Sequence, residues 1–89
     1  MRVVFLHPMK YTNYFHYTRL RPDRRSIKLE WITEVVKNPE MEEIQHDGRI
    51  RRWAKIREAE NRYLRVILLD DGETVHNAFF DRNAKGQKK

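Results

Sequence analysis

His76 is the residue of this 89-residue chain best suited to carry chemistry, in the run Thr74-Val75-His76-Asn77-Ala78-Phe79-Phe80-Asp81-Arg82. An imidazole titrates near neutral pH, and a neighbouring cation favours its neutral, proton-accepting form. Cleavage of RNA by its own 2′-hydroxyl needs a base for that proton, a cation for the phosphorane and an acid for the leaving 5′-oxygen. His76 as base, Lys55 and Arg65 as phosphate clamps and His46 as acid would make such a site without a metal or cofactor. A lone histidine in a strand also serves as a structural residue, and that reading stands beside the catalytic one.

Other chemistries find less support. The histidines at 7, 16, 46 and 76 lack the spacing of a helical metal pair, and no cluster of acids accompanies them. There is no cysteine, which excludes disulfides, thiolate nucleophiles and cysteine-containing zinc patterns. Gly48, Gly72 and Gly86 are too scattered for a phosphate-cradling loop. Ser26, the only serine, reads as a helix cap or first-turn residue.

The charge is segregated. Residues 1–28 carry seven basic and one acidic side chain, residues 29–48 one and six, residues 49–69 seven and two, and residues 70–89 four of each. Two basic blocks within a net charge of +6 suggest a surface for a polyanion. Single-stranded RNA suits aromatic residues interleaved with cations, because rings accept unstacked bases while Lys and Arg neutralise phosphates. Duplex DNA suits the chain less, since its one clear helix is nearly neutral.

Periodicity supplies the elements that must position these groups. Met1 to Leu6 reads as a short strand stopped at His7-Pro8. Residues 9–21 fit either helix or strand, with helix preferred. From about Ser26 to Lys37, the apolar residues Ile27, Trp31, Ile32, Val35 and Val36 form one stripe of an amphipathic helix, capped by Asp23 or Ser26 and ended by Asn38-Pro39. The period then falls to two. Met41–His46, Arg49–Arg57, Tyr63–Leu69 and Glu73–Phe80 read as a four-stranded antiparallel meander, with tight turns at Asp47-Gly48 and Asp71-Gly72 and a loop at 59–61.

Registered on those turns, Ala54, Ile56, Leu64, Val66, Leu68, Val75, Asn77 and Phe79 share one face, the expected core under the helix. The opposite face carries His46, Arg49, Arg51, Trp53, Lys55, Arg65, Ile67, His76, Ala78 and Phe80. Arg49, Arg51, Trp53, Phe80 and Arg82 are the expected RNA contacts, extended by Arg21 and Arg24 from the cluster Arg19-Leu20-Arg21-Pro22-Asp23-Arg24-Arg25. The bland alternatives are solvated arginines covering Trp53 and a turn in which Asp23 pairs locally. The acidic block Glu40, Glu42 and Glu43 reads as a solvated edge that discourages strand addition.

This order of elements is similar to the RelE/ParE superfamily of toxin–antitoxin toxins, closest in pattern to the small BrnT-like branch and its uncharacterised relatives. Trp31-Ile32 through Val35-Val36-Lys37-Asn38-Pro39-Glu40, then Leu64-Arg65-Val66-Ile67 and the closing His76-Asn77-Ala78-Phe79-Phe80-Asp81-Arg82 carry the resemblance, over about residues 15–82. It implies an α+β fold with one or two helices on one face of a four- or five-stranded antiparallel meander. It also implies an mRNA-cleaving or growth-arresting toxin of a type II pair, no cofactor, and a cognate antitoxin as protein partner. Where RelE-type ribonucleases use Lys, Arg and a C-terminal Tyr, this chain has Lys55, Arg65 and no tyrosine after Tyr63. A non-catalytic RNA-binding regulatory module, or a binding-only protein for an acidic partner, uses the same face without chemistry.

The expected organisation is a single domain over 1–83 with a flexible basic tail over 84–89, with a homodimer as a further expectation. No apolar run approaches the roughly 20 residues of a membrane span. With no cysteine and no signal-peptide core, the chain reads as cytoplasmic and without a membrane partner.

Overall fold

The computed structural model describes residues 9–84, so the expected strand at Met1–Leu6 with its His7-Pro8 stop, and the tail beyond Ala84, lie outside the described residues. The elements are β1 (Lys10–Tyr11), α1 (Asn13–Thr18), α2 (Leu29–Lys37), β2 (Met41–Ile44), β3 (Ile50–Ile56), a 3-10 turn (Arg57–Ala59), β4 (Arg62–Leu68) and β5 (Thr74–Phe80). They build an α+β fold around a five-stranded mixed sheet of order β1-β5-β4-β3-β2. β1 runs parallel to β5, and the β2–β3, β3–β4 and β4–β5 pairs are antiparallel. The ambiguous segment 9–21 thus divides between a short strand and a helix.

Thr12 makes that division. It is extended, and its Oγ1 accepts from the Phe15 N–H at 3.0 Å, which caps α1 and satisfies a donor that the first turn cannot. α2 begins later than the sequence suggests, with extended Lys28 before it and no side-chain cap. Neither Asp23 nor Ser26 caps it, because residues 21–27 are folded into turns of their own, with Arg24 and Arg25 N–H on the Arg21 carbonyl and Ile27 N–H on that of Arg24. The helix stops at Asn38, whose backbone (φ −131°, ψ 63°) has left the helical region that a following Pro39 disfavours.

Both glycine turns are longer than the two-residue form. Gln45 N–H bonds the Arg49 carbonyl and Gly48 N–H the Gln45 carbonyl, which leaves the three-residue loop His46–Gly48 with Gly48 at φ +90°. Leu69 N–H bonds the Thr74 carbonyl across a four-residue loop, where the Asp71 carboxylate accepts from Glu73 N–H, Thr74 N–H and the Thr74 hydroxyl. Those bonds, the Thr74 hydroxyl first, hold the Asp71 pKa down at about 2.

The β3–β4 pairing sets Ala54 opposite Leu64 and Ile56 opposite Arg62, two residues from the expected register. An even slip preserves the faces, so Ala54, Ile56, Leu64, Val66 and Leu68 are all buried as expected. β5 behaves differently. Leu68 pairs with Val75 as expected, but Ile67 pairs with Asn77, and His76 is the extra residue of a bulge. Beyond it the alternation inverts. Ala78 is buried and Phe80 packs on the core, whereas Phe79 pairs with Arg65 and Asn77 with Ile67 on the opposite face. The placement of Ala78 and Phe80 on the open face, and of Asn77 and Phe79 in the core, is therefore corrected by one inserted residue.

α2 lies against β3 and β4 and α1 against β5. Ile32 and Val35 of α2, Phe15 of α1 and Ile27 meet Leu64, Val66, Leu68, Val75 and Ala78 in one core, with Trp31 and Val36 at its margin. The opposite face of the sheet is left to build a site.

Candidate nucleic-acid interface

Trp53, Arg65 and Phe79 are directly paired neighbours on β3, β4 and β5 and form a row across the open face. The Arg65 guanidinium lies 4.9 Å from the Phe79 ring centroid and 5.4 Å from that of Trp53. Arg24 extends the row at the β5 edge, 5.3 Å from the Phe79 centroid, with Nη1 donating to Asn77 Oδ1 at 2.8 Å. Cation and ring alternate over three strands, an arrangement in which each group lowers the energy of its neighbours.

Asp81 locks this row. Its Oδ2 accepts from Trp53 Nε1 at 3.0 Å, Arg65 Nε at 3.2 Å and Arg65 Nη2 at 2.9 Å, while Oδ1 accepts the Asn83 N–H at 3.0 Å. Burial pushes the Asp81 carboxyl up, but the Trp53 and Asn83 hydrogen bonds and Arg65 outweigh it, and the pKa falls below the usual carboxylate value. Arg65 is thus oriented and neutralised from within. Sequence reasoning missed Asp81, although it is the only acid in the run from Thr74 to Arg82.

His76 occupies a different corner. Its Nδ1 is 3.1 Å from Thr12 Oγ1, and its ring stacks on Tyr14 at 4.7 Å and 21°. Burial first and the Arg49 charge second lower its pKa from 6.5, which keeps the ring neutral at pH 7. In the tautomer whose Nδ1–H donates to Thr12 Oγ1, the lone pair sits on Nε2.

The four proposed catalytic residues do not converge. Lys55 pairs with Tyr63, four residues along β4 from the Ile67–Asn77 pair, and β3 is two strands from β5. Strand geometry puts the Lys55 and His76 backbones about 16 Å apart. His46 is exposed in the β2–β3 loop, on the far side of β4 and about 10–14 Å from β5. The cation whose charge reaches His76 is Arg49.

Among the expected RNA contacts, Arg51 pairs with Glu43 at 3.0 Å and Arg49 with Asp47 at 3.8 Å. Arg21 and Arg24 share Asp23 at 4.0 and 3.5 Å. Phe80 stands outside the row, since its ring lies edge-on to Trp31 at 6.2 Å on the core side, under the Arg62 guanidinium at 4.1 Å, but it lines the cleft at the end of β5. Arg82 is exposed beside a cleft of about 660 Å³ that Tyr63, Phe79 and Arg62 also line. Lys55 lies 5.8 Å from the Tyr63 ring, and Tyr63 has its pKa raised by partial burial and then by Glu40.

The chain matches no family model, no curated protein and no solved structure. No helix among the described residues is long and apolar enough to cross a membrane.

Proposed function

We propose that the open sheet face binds single-stranded RNA and that the chain is the toxin of a type II toxin–antitoxin pair, a metal-independent endoribonuclease with His76 as its base. The observation that carries the reading is the Arg24–Phe79–Arg65–Trp53 row, with a neutral imidazole on the same strand as Phe79. Rings and guanidinium planes accept unstacked bases at about 1–3 kcal/mol each by alanine substitution. His76 Nε2 takes the 2′-hydroxyl proton, the 2′-oxygen bonds to phosphorus, and the P–O5′ bond breaks. The departing oxygen takes a proton from water, leaving a 2′,3′-cyclic phosphate and a 5′-hydroxyl. Arg49, rather than Lys55 or Arg65, supplies the nearby positive charge. An antitoxin is the protein partner this reading implies.

Incubation of the purified chain with labelled single-stranded RNA in a chelator tests the proposal. Cyclic-phosphate products that vanish in His76→Ala, with RNA affinity retained, are the expected result. Full cleavage by that variant removes His76 from the mechanism. The second reading, a non-catalytic RNA-binding regulatory module, is favoured by the carboxylates on Arg65 and Arg51 and by the separation of Lys55 from His76. It predicts salt-sensitive binding with RNA recovered intact.

A further inference from the structure

The structure divides the cations on and beside the sheet strands into two populations. Toward the His76 end, Arg49 and Arg51 carry Asp47 and Glu43. At the other end, where β4 begins and β5 finishes, no carboxylate among the described residues lies within ion-pair distance of Lys55, Arg62 or Arg82. The surplus positive charge therefore gathers at the end remote from His76, beside the cleft of about 660 Å³.

The cleft is built from groups of complementary kinds. Tyr63, Phe79 and Phe80 supply aromatic surface, Asn61 an amide with both donors and an acceptor, and Arg62 and Arg82 the charge. Asp23 and Asp81 also line it, but Asp23 is engaged by Arg21 and Arg24 and Asp81 by Arg65, Trp53 and Asn83. Arg62 is pre-positioned, with Nε donating to the Ala59 carbonyl at 3.0 Å and its plane over Phe80, so its terminal nitrogens have no carboxylate to hold.

We propose that this cleft is a nucleotide subsite, taking one base of a single strand against Tyr63 and Phe79 and its phosphate on Arg62 and Arg82. The inference rests on the RNA-binding reading of the face and adds to it where the strand is anchored. It makes binding and cleavage spatially separate, since His76 lies at the other end of the strand that carries Phe79. Asn61 is the residue placed to read the base edge.

Fluorescence anisotropy with labelled oligoadenylate and oligouridylate of about ten nucleotides tests this, within the span that single-strand sites cover. Arg62→Gln/Arg82→Gln is compared with Lys28→Gln/Lys37→Gln, which removes the same charge from around α2. The cleft pair is expected to weaken binding at least tenfold and to flatten the log affinity against log salt slope by about 1.4, two single-strand phosphate contacts. The α2 pair is expected to change affinity less than about threefold, the non-specific effect of charge alone. Equal losses, or a greater loss in the α2 pair, overturn the subsite and leave the face reading intact. A wild-type chain that binds neither oligomer overturns both. Asn61→Ala should remove any difference between the two oligomers while both still bind; an unchanged difference removes Asn61 from base reading. Matching circular dichroism spectra of all variants exclude unfolding as the cause of a loss.

Discussion

Asp81→Asn removes one charge from the most interconnected polar group on the open face. The Asp81 side chain is 9% exposed and that of Arg65 22%, so the pair is largely shielded from water. A hydrogen bond to a charged group contributes about 1.5–3 kcal/mol, and breaking a fully buried ion pair costs about 3–5 kcal/mol. Discounted for the exposure of Arg65, and with an amide still able to accept from Trp53, the loss works out at about 2–3 kcal/mol. For a domain of this size 1 kcal/mol corresponds to about 5 °C, so the melting temperature should fall by roughly 10–15 °C. A thermal melt measures this directly. A double-mutant cycle with Arg65→Gln should give a coupling above about 1 kcal/mol, since the two residues share one network. The carboxyl pKa is lowered in the fold, so its contribution is present above the unfolded value of 3.8 and is lost as pH falls through the lower folded value. The acid limb should therefore be shallower in Asp81→Asn. A loss below about 0.5 kcal/mol together with coupling below about 0.5 kcal/mol would refute the argument that Asp81 holds the row together.

His76→Gln removes a group whose folded pKa lies below 6.5, so wild-type stability should be level above that pH and decline as pH falls through the lowered value, while the variant stays flat there; urea titrations at several pH values read this. In wild-type cleavage the same group gives a rate that falls on the acid side with a midpoint below 6.5. Phe79→Leu should weaken RNA binding by about 1–3 kcal/mol with little loss of stability, whereas Phe80→Ala should cost about 2–4 kcal/mol of stability because its ring packs on the core; a larger stability loss in Phe79→Leu than in Phe80→Ala would mean the bulge is misplaced. Gly48→Ala places a Cβ 3.2 Å from Asp70 Cβ at a φ of +90°, and calorimetry should show a loss of about 1–2 kcal/mol.

The helical stripe Trp31, Ile32, Val35 and Val36 and the alternation Leu64, Val66, Leu68 were legible because local period alone decides which side of an element is apolar. The error of two residues at the β3–β4 loop did no harm, since side-chain alternation has a period of two. The error in β5 did. One extra residue at His76 exchanges Phe79 for Phe80, and nothing within Thr74–Phe80 distinguishes the two rings by composition.

The candidate site divides in the same way. Basic and aromatic interleaving on β3 and β4 was readable from Arg51, Trp53, Lys55 and Arg65, but the partners that set their charge were not. Glu43 reaches Arg51 only through the β2–β3 pairing, and Asp81 reaches Arg65 across 16 positions of sequence. Capping showed a parallel limit, because neither Asp23 nor Ser26 caps α2 once the turns over 21–27 have claimed their own backbone bonds, and α2 starts without a side-chain cap.

By itself the sequence determined the α+β class, the buried faces of α2, β3 and β4, and a basic aromatic surface opposite them, all consequences of spacing and side-chain type within one element. The tertiary structure alone decided which arginines keep an unopposed charge, that Lys55 and His76 stand at different ends of the sheet, and which phenylalanine faces outward. Those outcomes depend on register and on contacts between residues distant in the chain, where a shift of one residue reverses a face and a single carboxylate cancels a cation.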